Sequence, residues 1–171
     1  TEADLPALGA YGLMKPELKT SADRGALGLA LARGVIDVVE SDHAPHTIAE
    51  KESNTPPFGV PGLETTLPLM LLAVHDGCVT LEQLIPLLSE NPRRIWGLTV
   101  PEDTYALVDL SAPYTIDRSR LHTGCGWSPF EGMRVPGRVV ETWIRGRKVY
   151  DGERVIAPPG SGRNLFGADA T

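Results

Sequence analysis

The chain has 171 residues, 42% of them hydrophobic and 22% charged, which is enough for one core or for two small units sharing an interface. A net charge of -6 and the lack of any Lys/Arg run argue against nucleic acid or an anionic membrane as a partner. The longest apolar run, residues 67–74, is far shorter than the roughly 20 residues that cross a bilayer, and no N-terminal signal peptide is visible.

Thr20-x-x-Asp23 reads as a capping box that opens a helix to about Arg33, with Gly34 placed to end it. Val35-Ile-Asp-Val-Val39 is then a short β-branched run of the kind found in buried parallel strands, and it stops at Ser41-Asp42-His43. Residues 47–62, rich in Pro, Gly, Ser and charge, are expected to form an ordered loop over the end of that strand. A largely buried helix is expected over residues 64–74. Thr80-x-x-Gln83 is a second capping box, leading a helix with Leu81, Leu84, Ile85 and Leu88 on one face. Asn91-Pro92 reads as an N-cap with proline at the first helical position, and Gly97 as the stop.

Beyond Leu98 the texture changes to short strands around Val108, residues 114–116, 138–145 and 148–150, with turns at Arg145-Gly146 and Asp151-Gly152. Helix and strand alternation followed by a small all-β unit is the pattern of part of an α/β barrel with an appended β-sandwich, divided at residues 1–98 and 99–171. Periodicity alone does not separate this from an open α/β sheet. Cys78 and Cys125 show no CxxC spacing, so a reduced, cytoplasmic setting is expected.

Ser41-Asp42-His43-Ala44-Pro45-His46 places a carboxylate and two imidazoles at the C-terminal end of the expected strand, where barrels of this type keep their active sites. Asp42 is suited to ligating a metal and to taking a proton from metal-bound water. His46 is suited to bonding a substrate carboxylate, with Pro45 stiffening the turn between them. Taken by itself, Asp-x-x-x-His on a loop is more often a cap or a surface pair than a catalytic site, and zinc normally needs three or more protein ligands.

The sequence SDHAPHT, then EK, then PPFGVPGLETTLPLML resembles the dihydroorotase signature of the amidohydrolase superfamily. Glu90-Asn-Pro-Arg-Arg-Ile95, the Cys125 to Gly132 stretch CGWSPFEG and the Gly137 to Gly146 stretch GRVVETWIRG resemble the family's final helix and returning sandwich strands. The resemblance covers residues 11–165. It implies an α/β fold: the C-terminal part of a TIM-like (β/α)8 barrel plus a small β-sandwich segment.

It also implies that Asp42 is the barrel's last metal ligand and its proton shuttle, that His46 meets the substrate carboxylate, and that the backbone of Phe58 and Gly59 meets the substrate ring. Lys15 falls where the family has Asn or Arg holding substrate, a departure that keeps a cation but loses the planar fork. The complete family enzyme cyclises N-carbamoyl-L-aspartate to L-dihydroorotate in pyrimidine synthesis and uses Zn2+ in a binuclear centre. Its His-x-His strand, carboxylated lysine and two middle-strand histidines have no match here. The expected partners are therefore the missing N-terminal barrel half and, through a scaffold role, aspartate transcarbamoylase. Allantoinase and hydantoinase are the nearest alternatives, and they usually lack the second histidine of this motif.

His75 and His122 are expected to be structural or exposed, His43 to brace the loop or the neighbouring carboxylate, and Glu64 and Thr65 to open a helix. Trp96, Trp127 and Trp143 are expected as packing anchors, and Arg93 and Arg94 as ion pairs between barrel and sandwich.

Overall fold

The structure, a computed structural model, describes residues 1–166; the end of the segment assigned to residues 99–171 lies outside the described residues. Among the described residues six α-helices precede five strands. Leu5–Leu8 (α1) is a single turn, and Ser21–Ala32 (α2) starts where the Thr20 hydroxyl accepts the Asp23 N–H at 3.2 Å and the Asp23 carboxylate accepts the Thr20 N–H at 3.1 Å. Ile48–Lys51 (α3) is a short helix inside the stretch expected to be loop, set by the same reciprocal bonding between Thr47 and Glu50.

Thr66–His75 (α4) follows, then Leu81–Ile85 (α5), capped by Thr80 and Gln83. A π-helical turn over Pro86–Glu90 leads directly into Asn91–Ile95 (α6). Pro86 lacks the N–H that would continue an ordinary helical ladder, and the turn widens there. Gly97, at φ +62°, takes the left-handed conformation that ends the run.

Tyr105–Asp109 (β1), Arg138–Ile144 (β4) and Arg147–Tyr150 (β5) form an antiparallel sheet in the order β1-β4-β5. Tyr114–Thr115 (β2) pairs with Arg134–Val135 (β3), a strand with no counterpart in the sequence reading. The β4–β5 turn has both Arg145 and Gly146 at positive φ, the geometry whose twist matches a two-residue hairpin. Met70 and Leu71 of α4, Val79, Leu84 of α5 and Leu87 form the main core, and Leu31, Val39 and Val108 pack on it. Each such fully buried apolar side chain is worth about 1.5–3 kcal/mol. Val108 sits at a register shift in β1, so the sheet and the helices share this core.

Several expectations are corrected. Residues 35–39 form no strand, and Val35 is 70% exposed. A strand needs neighbours for its backbone groups, and among the described residues only the N–H of Val35 (to Ala30) and of Val39 (to Leu87, 3.1 Å) reaches a carbonyl along this run. The face of α5 is turned relative to expectation: Leu84 and Leu87 are buried while Leu81 and Ile85 are exposed. Asn91 is helical rather than a cap, and its amide donates to the Asp37 carbonyl at 2.8 Å. Trp96 is 54% exposed and anchors nothing comparable to Trp127. Arg94 lies near Asp37 and Asn91, so its contacts stay within the helical part, and Arg93 forms no ion pair among the described residues.

Candidate active site

Two segments, residues 41–46 and 58–62, run beside one another. The Ala44 N–H donates to the Val60 carbonyl at 3.1 Å. A Cβ on Gly59 would stand 2.6 Å from the Ala44 carbonyl oxygen, and one on Gly62 would stand 2.9 Å from that of Ser41. Gly59 also has φ +128°, so no other residue fits this close approach without strain. His43 accepts the N–H groups of Gly62 and Leu63 on Nδ1, both at 3.2 Å, which places its proton on Nε2 and makes it the brace of this pairing.

His46 is half-buried. Its Nε2 lies 3.1 Å from the Phe58 carbonyl, which can only accept, so Nε2 carries the hydrogen; Nδ1 lies 4.0 Å from Glu50. The Lys15 ammonium sits 4.5 Å from the centre of the Phe58 ring, a cation–π contact. Lys15, His46 and the adjacent pair Phe58 and Gly59, three separate places in the sequence, therefore meet at one place. Asp42 is exposed on the same segment as His46, at the left-handed φ of +40°, with its N–H donating to the Glu40 carboxylate at 2.5 Å. Strained non-glycine backbone of this kind concentrates at functional sites.

The sequence reading missed Lys51, which is fully buried at 0% exposure. Its ammonium donates to the carbonyls of Pro57 at 2.9 Å, Gly59 at 3.1 Å and Leu13 at 3.4 Å, with the Trp127 ring centre 5.6 Å away. Burial pushes its pKa down. The Thr47-x-x-Glu50 cap signals the helix that carries Lys51, but nothing local in the sequence signals the burial. Tyr11 packs edge-on to Trp127 at 4.9 Å and donates its hydroxyl to Glu52, whose carboxylate holds the phenol's pKa up.

Glu64 directly precedes Thr65, the N-cap of α4, at the helix start expected of it. Its carboxylate accepts the backbone N–H groups of His122 and Thr123 at 2.8 and 2.7 Å, and the His122 ring packs edge-on to Tyr150. A cleft of about 1600 Å³ is bordered by His43, His46 and Glu64 and by Arg138 and Tyr150, and among the described residues His46 is the one expected site residue that lines it. Among the described residues no three His, Cys, Asp or Glu side chains converge to hold a metal ion, so these residues by themselves do not make a metal centre.

No family model matches the chain. It is 44% identical over 165 residues, 96% of its length, to the multifunctional protein pyr1-3 of Dictyostelium discoideum. It is 42% identical over 171 residues, 95% of its length, to a dihydroorotase of Halobacterium salinarum. The chain spans 7% of the first relative and 40% of the second. An L-hydantoinase (dihydropyrimidinase) from Arthrobacter aurescens superposes with a TM-score of 0.86 at 29% identity, over 92% of this chain and 38% of that one. An inactive dihydroorotase-like domain of a CAD-like multifunctional protein from Chaetomium thermophilum superposes with a TM-score of 0.66 at 25% identity, over 88% and 44%. With helices and sheet arranged as in part of these solved structures, the chain is similar over almost all its length to part of the dihydroorotases, and it spans 40% or less of these two curated relatives.

Proposed function

We propose that this chain is the C-terminal portion of a dihydroorotase-type hydrolase, residues 1–98 completing its barrel and residues 99–171 a β-sandwich segment. The complete protein opens or closes the cyclic amide of L-dihydroorotate in cytoplasmic pyrimidine synthesis. The observation that carries this reading is the meeting of Lys15, His46, Phe58 and Gly59 beside the Asp42 segment, in a chain 42% identical to a dihydroorotase.

In this reading Lys15 supplies a cationic donor to the substrate carboxylate, and the His46 Nε2–H, held by the Phe58 carbonyl in the structure described, turns to that carboxylate when substrate binds. The backbone at Phe58 and Gly59 sets the plane of the ring. The Asp42 carboxylate takes the proton released when water adds to the amide carbonyl and returns it to the leaving nitrogen. The family's Zn2+ needs ligands beyond those among the described residues, so the remaining barrel half is the obligatory partner and Asp42 contributes one ligand to a shared centre. Assembly with aspartate transcarbamoylase is consistent with the relative's description as a multifunctional protein.

A second reading, a dihydroorotase-like scaffold without turnover, is favoured by the likeness to the inactive domain. Joining the chain to the N-terminal half of the Halobacterium relative, in one polypeptide or by co-expression, separates the readings. Hydrolysis of L-dihydroorotate supports the first. Preference for hydantoin or allantoin moves the chain to the neighbouring branch, and a stable assembly that turns over none of them supports the scaffold.

A further inference from the structure

Lys51 is a charged side chain with no access to water, and it is absent from the chemistry described so far. Burying an ammonium is costly unless its hydrogens are met, and here three carbonyls from two separate segments meet them. Two of those carbonyls, of Pro57 and Gly59, flank Phe58. In a trans peptide the C=O and N–H point in opposite directions, so drawing these two carbonyls toward the ammonium turns the N–H groups of Phe58 and Val60 away from it. Neither N–H has an acceptor among the described residues. The intervening peptide is reversed: the Phe58 carbonyl faces His46 and the Gly59 N–H donates to Leu13 at 2.9 Å. The contact between Gly59 and Ala44 leaves the segment no room to slide.

We propose that Lys51 is a positioning residue for ligand binding: its buried ammonium fixes the peptide planes of residues 57–60 so that the N–H groups of Phe58 and Val60 stand as a donor pair for a carbonyl or carboxylate oxygen of the ligand. The same ammonium holds Leu13, two residues before Lys15, and so links both cationic and backbone donors to one anchor. The proposal rests on the reading of this loop as the substrate loop. Its ligand class is an anionic cyclic imide or amide, which offers oxygen acceptors spaced along one edge.

The test has two arms. In the chain itself, nitrogen-edited NMR should detect the Lys51 ammonium protons as slowly exchanging, and the Gly59 amide should exchange at least about tenfold more slowly than those of Phe58 and Val60. Lys51→Met keeps the stem and removes the charge; it should unfold cooperatively yet lose the Gly59 protection. In the joined enzyme the same substitution should raise KM for L-dihydroorotate about tenfold or more while lowering kcat much less, with Lys51→Arg recovering part of the loss. Unchanged Gly59 exchange and unchanged KM in Lys51→Met would overturn the proposal. If that variant does not fold, freely exchanging ammonium protons in the unsubstituted chain would overturn it, and protected ones support it. A joined enzyme inert toward cyclic amides, with the exchange pattern as described, defeats the dihydroorotase reading and leaves the anchoring of the loop by Lys51 intact.

Discussion

Across 81 residues of sequence, the indole N–H of Trp127 donates to the backbone carbonyl of His46 at 2.7 Å. Trp127 is 2% exposed, so this bond is a dry link between the segment preceding β3 and the loop that bears Asp42 and His46. Trp127→Phe keeps most of the ring and strands the carbonyl, which costs about 1–3 kcal/mol. Thermal unfolding followed by circular dichroism should show a Tm lower by about 3–10 °C. A Tm unchanged to within about 1 °C would show that the bond contributes nothing net.

Two glycines should respond in opposite senses to the same substitution. Gly59→Ala drives a methyl into the Ala44 carbonyl at a φ that alanine avoids and should destabilise the chain by more than about 2 kcal/mol. Gly25→Ala, within α2 and with open space around it, should stabilise by about 0.5–1 kcal/mol through helix propensity. Urea unfolding of both variants gives the comparison, and a stabilised Gly59→Ala would contradict the close approach of the two loop segments.

Asp42 and His46 should separate in kinetics once the chain is joined to the remaining barrel half. Asp42→Asn should reduce kcat by about a thousandfold, since an amide cannot accept the proton. His46→Ala should raise KM about tenfold through loss of a carboxylate contact, with bound zinc unchanged. Steady-state kinetics with metal analysis tests both, and a His46→Ala protein stripped of metal beside an active Asp42→Asn protein would reverse the assigned roles.

Stability should fall on the acid side in a definite window. The Thr20 hydroxyl holds Asp23 below its ordinary value, the Thr47 N–H does the same for Glu50, and the Arg118 guanidinium does so for Glu131. Each is ionised more readily folded than unfolded, so its contribution is complete above the unfolded carboxylate range, about pH 4, and is lost as pH drops below that through the depressed folded values. Urea midpoints recorded against pH should be level above about pH 5 and decline below about pH 4. The paired variant Asp23→Asn and Glu50→Gln should flatten the decline, and an equally steep fall in that variant would count against these groups.

Features fixed by neighbours in sequence were readable in advance. The caps at Thr20 and Thr80, the stops at Gly34 and Gly97, and the Arg145-Gly146 turn all depend on contacts within a few residues. The Thr47 cap obeyed the same rule but was hidden by the proline- and glycine-rich composition around it. Residues 35–39 were misread because a strand is a property of paired chains, and their β-branched composition records a preference that nothing in the described residues fulfils. Of the site, the SDHAPH motif drew attention to Asp42 and His46, whereas Lys51 stayed invisible because a lysine's burial is decided by residues 13, 57 and 59 and by Trp127.

The unpaired run at residues 35–39 also bears on how this polypeptide behaves at high concentration. The N–H groups of Ile36, Asp37 and Val38 meet no acceptor among the described residues, and the side chains around them are mostly aliphatic. Such a stretch is a template for intermolecular β pairing, so two copies meeting there can zip together and seed aggregates. A polypeptide that occupies both edges of the run thus acts on it as an intramolecular chaperone would, and solubility itself becomes a readout of correct assembly.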